Sequence, residues 1–329
     1  MPSHGARRGM RALSTPTARS AHDRARRDGA KLPDPELIAI LACPRTKGAL
    51  RYDAATAELV CDASANRYVV ADGIPVLLAP RAHPGPDDPA SFGPRYDRII
   101  SAPAMRALYG GSDYFNVGLW EPGVATLTEA CDRMVDALAA PVPPDPRLIL
   151  DVGCGFGAGT RRLAARFETA AVVGINISLE QLVYARARGL GAAVVGDAAR
   201  LGIASGVADA VIACESPQHF DTRADFFAEA WRVLRPGGVI CLADMLYVDR
   251  EPIGAWMYPA GNAVTTPSAY AELLAASGFR DVEVRDVTAI TWTPFCTLMS
   301  NGLGVAPAGA AAIRKAFAAY VIASARKPD

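Results

Sequence analysis

The sequence predicts an α/β fold built on a doubly wound, mostly parallel sheet. From Leu148 to Tyr247, short apolar runs of strand type alternate with stretches of helical spacing, the pattern of a parallel sheet covered by helices. One of those runs, Leu148-Ile149-Leu150, ends in Asp151 and opens into the glycine-rich turn Gly153-Cys154-Gly155-Phe156-Gly157. Arg161–Phe167 then resumes helical spacing, so the turn joins a strand to a helix N-terminus, where free backbone N–H groups face a ligand. The chain has 329 residues, 51% apolar and 21% charged, a globular composition with length for about two domains.

Charge is distributed unevenly. The whole chain balances 34 basic against 34 acidic residues, but residues 1–32 hold eight basic and two acidic ones. That leaves 26 basic against 32 acidic residues from Pro33 onward, a mildly acidic body ill-suited to gripping a phosphate backbone. Residues 1–32 read as a disordered basic tail. The arginines are not followed by the apolar run of about 7–15 residues that a secretory signal needs; an Arg-rich, acid-poor start is shared by organellar presequences and plain extensions. Seven cysteines, an odd number without an export signal, point to reduced thiols and a cytoplasmic protein. Apolar stretches stop well short of the ~18 residues of a membrane span.

Residues 33–80 read as a small α+β unit: a helix at Glu36–Leu41, strands near Leu50–Tyr52, at Glu58–Cys61 and at Tyr68–Val70, then Asp72-Gly73-Ile74-Pro75-Val76-Leu77-Leu78. The Pro/Gly/Asp-rich residues 81–95 read as a linker. Within 96–147, helices are expected at Tyr96–Tyr109 and Thr126–Ala139, the latter ended by the prolines from Pro141 to Pro146. In the 148–329 core, residues 251–266 carry Trp256 and Tyr258 and read as a lid. Ser268–Ser277 reads as a helix, Asp281–Thr288 as a strand, Trp292–Phe295 as a further pocket-lining segment, and Tyr320–Arg326 as a last edge strand.

The glycine turn has the spacing Asp-x-Gly-x-Gly-x-Gly, with the acid ahead of the first glycine. A dinucleotide fingerprint differs, and an acid there repels a pyrophosphate while suiting an ammonium or sulfonium cation. The run resembles motif I of the class I S-adenosylmethionine-dependent methyltransferases. Later landmarks follow in order: Val172–Ser178, Gly196-Asp197-Ala198, Asp209–Ser216 and Leu234–Ile240. The resemblance spans about residues 96–329. It implies a seven-stranded Rossmann-like sheet with an antiparallel last strand, and S-adenosyl-L-methionine as cofactor.

By the same resemblance, Gly153 and Gly155 lay the methionine part against the backbone and Asp151 reaches its amino group. Asp197 and Ala198 hold the adenine. Asn176 stands where an acid usually binds the ribose, a departure found in a subgroup that methylates natural-product sugars and other small molecules. Asn116 and Trp120 fall where that subgroup covers the cofactor. Residues 33–80 resemble the zinc-ribbon-like module that activates certain tRNA methyltransferases, whose pattern is two Cys-x-x-Cys knuckles. Thr46 and Ser64 replace the second cysteine after Cys43 and the partner of Cys61, so no zinc is expected.

His219 is the histidine placed for chemistry. His4 and His22 lie in the tail and His83 in the linker, whereas His219 follows the fourth core strand, at the sheet end where ligands bind. It is the candidate general base or orients the nucleophile, with Glu215 steering it or contacting substrate. Gln218 precedes it where the similar cyclopropane fatty-acid synthases carry Glu, which argues against lipid chemistry. The expected function is methyl transfer to a small-molecule acceptor, most simply an oxygen. The alternatives are an RNA base methyltransferase, disfavoured by the acidic body, and a cofactor-binding non-catalytic partner subunit. A homodimer is a candidate assembly; no membrane or metal is expected.

Overall fold

The computed structural model describes residues 33–79, 89–249, 251, 257–302 and 315–329. The tail at 1–32 and part of the lid stretch (252–256) therefore lie outside the described residues. Seven strands form the core: β5 (Leu148–Val152), β6 (Ala171–Asn176), β7 (Ala192–Gly196), β8 (Ala208–Cys214), β9 (Leu234–Tyr247), β10 (Arg280–Asp286) and β11 (Phe317–Arg326). Their order is β7-β6-β5-β8-β9-β11-β10, parallel from β7 to β9, with β11 antiparallel to both its neighbours. The doubly wound sheet with an antiparallel last strand is thus present. β11 is not an edge strand, however. It inserts between β9 and β10, with Tyr320 and Val321 fully buried, and the largely exposed β10 forms the edge.

The N-terminal unit extends the same sheet. After helix α1 (Pro35–Ile40), strands β1 (Leu50–Asp53), β2 (Glu58–Cys61), β3 (Arg67–Ala71) and β4 (Ile74–Leu77) pair antiparallel in sequence. β4 then pairs parallel with β7, Val76 opposite Val195 and Leu77 opposite Gly196. Leu59 and Leu77 share one apolar core with Leu150, Val173 and Phe226, so burial joins the unit to the core. Its four knuckle positions converge in crossed pairs: Cys43 Sγ lies 3.9 Å from Ser64 Oγ, and Thr46 Oγ1 lies 3.5 Å from Cys61 Sγ. Burial pushes the Cys43 thiol up, but hydrogen bonds from Thr46, Tyr68 and Asn66 outweigh it and bring the thiol to about 6.

Two segments differ from expectation for local reasons. Helix α2 (Pro89–Ile100) occupies the second half of the stretch read as a linker, of which residues 81–88 lie outside the described residues. The single helix expected over Tyr96–Tyr109 is broken, because Pro103 forces Ala102 into an extended conformation (ψ 133°) before α3 (Pro103–Leu108) starts. Helix α4 (Leu127–Ala139) begins at a capping box in which Thr126 and Glu129 each bond the other's backbone. The helix expected at Ser268–Ser277 forms as α8 (Pro267–Ala276), Trp292–Gly302 forms helix α9, and Trp292 stacks on Phe317 at 4.6 Å; neither Trp292 nor Phe295 reaches the cavity described below. Among the described residues, no helix is long and apolar enough to cross a membrane.

Candidate active site

A cavity with about 1230 Å³ of empty space, partly open to solvent, lies at the carboxyl ends of β5 to β8. Its floor is the turn after β5. Gly153, Gly155 and Gly157 all take positive φ (82°, 55° and 75°), which side chains rarely adopt. At Gly153 space matters as much: a Cβ there would lie 2.3 Å from Ser216 Cβ, in the turn after β8. The two turns touch, and Ser216 Oγ donates to Val152 O at 2.9 Å.

The predicted cofactor residues line one side. Asp151 is buried and accepts from Thr160 Oγ1 at 2.5 Å, at the start of helix α5 (Ala158–Arg166). Burial pushes its carboxyl up to about 6. Asn176 ends β6 and donates through Nδ2 to Gln181 Oε1 at 2.9 Å. Asp197, at the end of β7, caps the short turn Ala198–Arg200, its Oδ1 accepting from Ala199 N at 3.0 Å. Asp197 and Ala198 line the cavity, as does Asn116, whose Oδ1 accepts from Gly118 N. Trp120 does not reach it. Its Nε1 donates to Val117 O at 2.9 Å and its ring packs into the core beneath the segment, so of the two residues expected over the cofactor only Asn116 lines the cavity.

The facing side carries Glu215 and His219. Glu215 has φ 50° and spends its Oε1 on Val117 N and Tyr320 Oη, both at 2.7 Å. It therefore ties the 116–118 segment to β11 and does not steer His219. Burial raises its carboxyl to about 8. His219 sits in the short helical turn Pro217–His219, with Nδ1 2.6 Å from Met257 O and Nε2 3.3 Å from Gln218 Nε2. A carbonyl oxygen only accepts, so Nδ1 carries the ring proton and the lone pair of Nε2 faces the Gln218 amide, which donates to it. Burial lowers the ring to about 4, leaving it neutral at physiological pH.

A buried network holds this loop, and its members carry no motif. Asn262 Nδ2 donates to Pro217 O and Gln218 O at 2.8 and 2.9 Å, while its Oδ1 accepts from Arg223 N at 2.6 Å. Arg223, in the first turn of helix α7 (Arg223–Val233), pairs with Asp244 on β9 through two hydrogen bonds, 2.7 and 3.1 Å. The side chains are 1% and 0% exposed. The signal available in the sequence is Asp244 itself, an acid inside the otherwise apolar run Val239–Tyr247, which demands a buried partner. Tyr258, read as part of a lid, is instead buried in this network, its hydroxyl donating to Asn262 O.

Of the three buried carboxyl groups lining the cavity, Asp113 is paired with Arg106, Arg161 and Arg188 behind the wall, whereas Asp151 and Glu215 are bonded by neutral groups, and the lining itself contains no Lys or Arg. Such a site favours a cationic ligand, and S-adenosylmethionine brings an ammonium and a sulfonium. Asp197 and Asn176 add acceptors where the nucleoside would lie. The residues present fit that cofactor. Among the described residues, no group of three or more His, Cys, Asp or Glu is arranged to hold a metal.

Known proteins agree with the geometry. Residues 150–242 match the family described as methyltransferase domain, and residues 34–73 the family described as Trm112p-like protein. The O-methyltransferase cnsE of Penicillium expansum is 30% identical over 220 residues, 63% of this chain and 77% of that protein. The chain belongs to the class I S-adenosylmethionine-dependent methyltransferases. The methyltransferase is also 32% identical over 197 residues to erythromycin 3''-O-methyltransferase of Saccharopolyspora erythraea, covering 53% of this chain and 64% of that enzyme, just under two thirds of its length. In structure it resembles the [4+2]-cyclase SpnF, with a TM-score of 0.58, 27% identity, and 73% and 97% of the two chains covered. Geranyl diphosphate C-methyltransferase from Streptomyces coelicolor A3(2), solved with S-adenosyl-L-homocysteine, shares the fold at a TM-score of 0.61 and 18% identity, over 74% of this chain and 99% of that one.

Proposed function

We propose that this methyltransferase methylates a hydroxyl group of a small organic acceptor, with His219 taking the hydroxyl proton. One observation carries the proposal. His219 is the imidazole on the cavity wall, and Met257 O fixes its tautomer so that the basic nitrogen is Nε2. S-adenosylmethionine, when bound, supplies a methyl group already activated on a sulfonium. What the protein adds is positioning and a place for one proton. The glycine turn permits close approach to its backbone, Asp151 takes the ammonium, and Asp197 and Asn176 accept from the nucleoside. Burial keeps the imidazole neutral, the form that accepts a proton.

The O-methyltransferases among its relatives support oxygen as acceptor. The SpnF likeness is a reminder that this fold also serves a cyclase, and a tautomer-fixed base on the cavity wall favours proton removal. The acidic body and a lining without Lys or Arg favour a small acceptor over RNA. The test is to incubate the full chain with S-adenosylmethionine and a panel of hydroxylated macrolides and deoxysugar glycosides, following S-adenosylhomocysteine release by mass spectrometry. His219→Ala lowers turnover by about 10²–10⁴-fold and leaves cofactor affinity by calorimetry within about twofold. Turnover within a few fold of wild type removes His219 as the base.

A further inference from the structure

The cofactor side of the cavity contains a hydrogen-bond relay that ends on α2, outside the strand-turn-helix units carrying the recognised motifs. Asp97, half-buried on α2, accepts from Gln181 Nε2 at 2.5 Å and from Ser178 Oγ at 3.0 Å. Gln181 Oε1 accepts from Asn176 Nδ2 at 2.9 Å. Ser178 also caps helix α6 (Leu179–Ala187) by accepting from Gln181 N at 3.2 Å, which holds Gln181 in place at the helix start.

A carboxylate has no donor, so it sets the polarity of each group behind it. Gln181 must turn its amide nitrogen to Asp97. Its oxygen then meets Asn176, which must use its own nitrogen there. What Asn176 leaves for the cavity is Oδ1, an acceptor that takes no donor among the described residues and is not sealed from solvent. Without the relay, an amide at this place could offer the ligand either its donor or its acceptor.

We propose that Asp97 is a positioning residue which, acting through Gln181, holds Asn176 as an acceptor for a ribose hydroxyl of the nucleoside ligand. An amide then recognises a hydroxyl donor as a carboxylate would. This inference rests on the cofactor reading given above. It also makes nucleoside binding depend on α2, a helix that contributes none of the recognised motifs.

The test moves the carboxylate from one end of the relay to the other and measures S-adenosylhomocysteine affinity by calorimetry. In Asp97→Asn, Ser178 Oγ–H keeps the one remaining oxygen at position 97 as its acceptor, which leaves the new amide nitrogen to donate to Gln181; the relay then reverses and Asn176 turns its nitrogen to the cavity. Affinity falls by about tenfold, the value of one well-made hydrogen bond. The double substitution Asp97→Asn/Asn176→Asp satisfies every group again, with Gln181 donating to the acid at position 176, and restores affinity to within about threefold of wild type. Gln181→Met, which leaves α2 untouched, weakens binding as much as Asp97→Asn. Unchanged affinity in Asp97→Asn overturns the proposal, as does a double variant as weak as the single one, since mere docking of α2 by Asp97 cannot be rescued from position 176. Wild-type protein that melts cooperatively yet binds no S-adenosylhomocysteine defeats the cofactor reading itself, and the relay with it.

Discussion

The two sides of the cavity are built in different ways. On the cofactor side, each group follows its strand within a few residues: Asp151 and Gly153 at the end of β5, Asn176 at the end of β6, Asp197 after β7. The facing side is assembled across the chain. Glu215 is held by Val117 and Tyr320, 98 and 105 residues away in sequence, and His219 by Met257, 38 residues away. A local turn can be shaped by glycine conformation and one strand-to-helix junction. A loop held by distant side chains needs the buried Arg223–Asp244 pair and Asn262 to be in place first. The cofactor side should therefore tolerate damage to that network, while the acceptor side should not.

Asp244→Ala breaks this contrast hardest. It leaves the Arg223 guanidinium 1% exposed and without its carboxylate, a loss of about 3–5 kcal/mol for a buried pair deprived of one partner. Denaturant unfolding should report that loss as a lower midpoint. In the fraction that stays folded, turnover falls further than S-adenosylmethionine affinity, because the network orients His219 and does not touch Asp151 or Asp197. Equal losses in both would show that the two sides are mechanically one unit.

Gly153→Ala damages the other side. The new Cβ meets Ser216 Cβ at 2.3 Å in a backbone with φ 82°. Left-handed strain and overpacking together cost about 2–4 kcal/mol, and cofactor affinity drops with them. Adding Ser216→Gly sharpens the point. It removes the collision but not the strain, so the double variant should recover part of the melting temperature and little of the affinity.

The same contrast explains what was legible in the sequence. The parallel core, the order of its landmarks and the placement of Asp151, Gly153, Gly155, Asn176, Asp197 and Ala198 along one cavity are legible because each sits inside a short strand-turn-helix pattern with its own spacing. His219 was findable from its place after β8, but what holds it was not, since nothing near Pro217 indicates Asn262 or Arg223. Glu215, four residues before His219, reads as a partner for it; the fold sends the carboxylate to Val117 and Tyr320 instead. Trp120 sat in the right segment, yet which face of an irregular segment meets a ligand depends on the helix packed behind it. Pairing between distant strands was equally hidden. β11 reads as an edge strand because its alternation says nothing of β10 on its far side, and the β4–β7 pairing that joins the N-terminal unit to the sheet leaves no mark in either strand.

The gentlest probe of the two sides is pH, because each carries one cavity-lining carboxyl that burial raises. Asp151 is pushed up to about 6 and Glu215 to about 8, both by burial. A carboxyl raised in the folded state keeps its proton there after the unfolded chain has lost it. These groups therefore favour folding at low pH and lose that advantage as pH rises, from 3.8 to about 6 for Asp151 and from 4.5 to about 8 for Glu215. A cationic ligand has the opposite preference, since it is held by the ionised forms. S-adenosylmethionine affinity should rise by about tenfold between pH 6 and pH 8, with proton release seen by calorimetry in buffers of different ionisation enthalpy. Replacing Glu215 by Gln should remove the upper part of the rise, leaving only the Asp151 contribution around pH 6. S-adenosylhomocysteine, which lacks the sulfonium charge, should show a shallower rise than the methyl donor. If the two ligands show the same pH dependence, the carboxylates answer only the ammonium they share, and Glu215 serves to tie Val117 to Tyr320 without sensing the charge on sulfur.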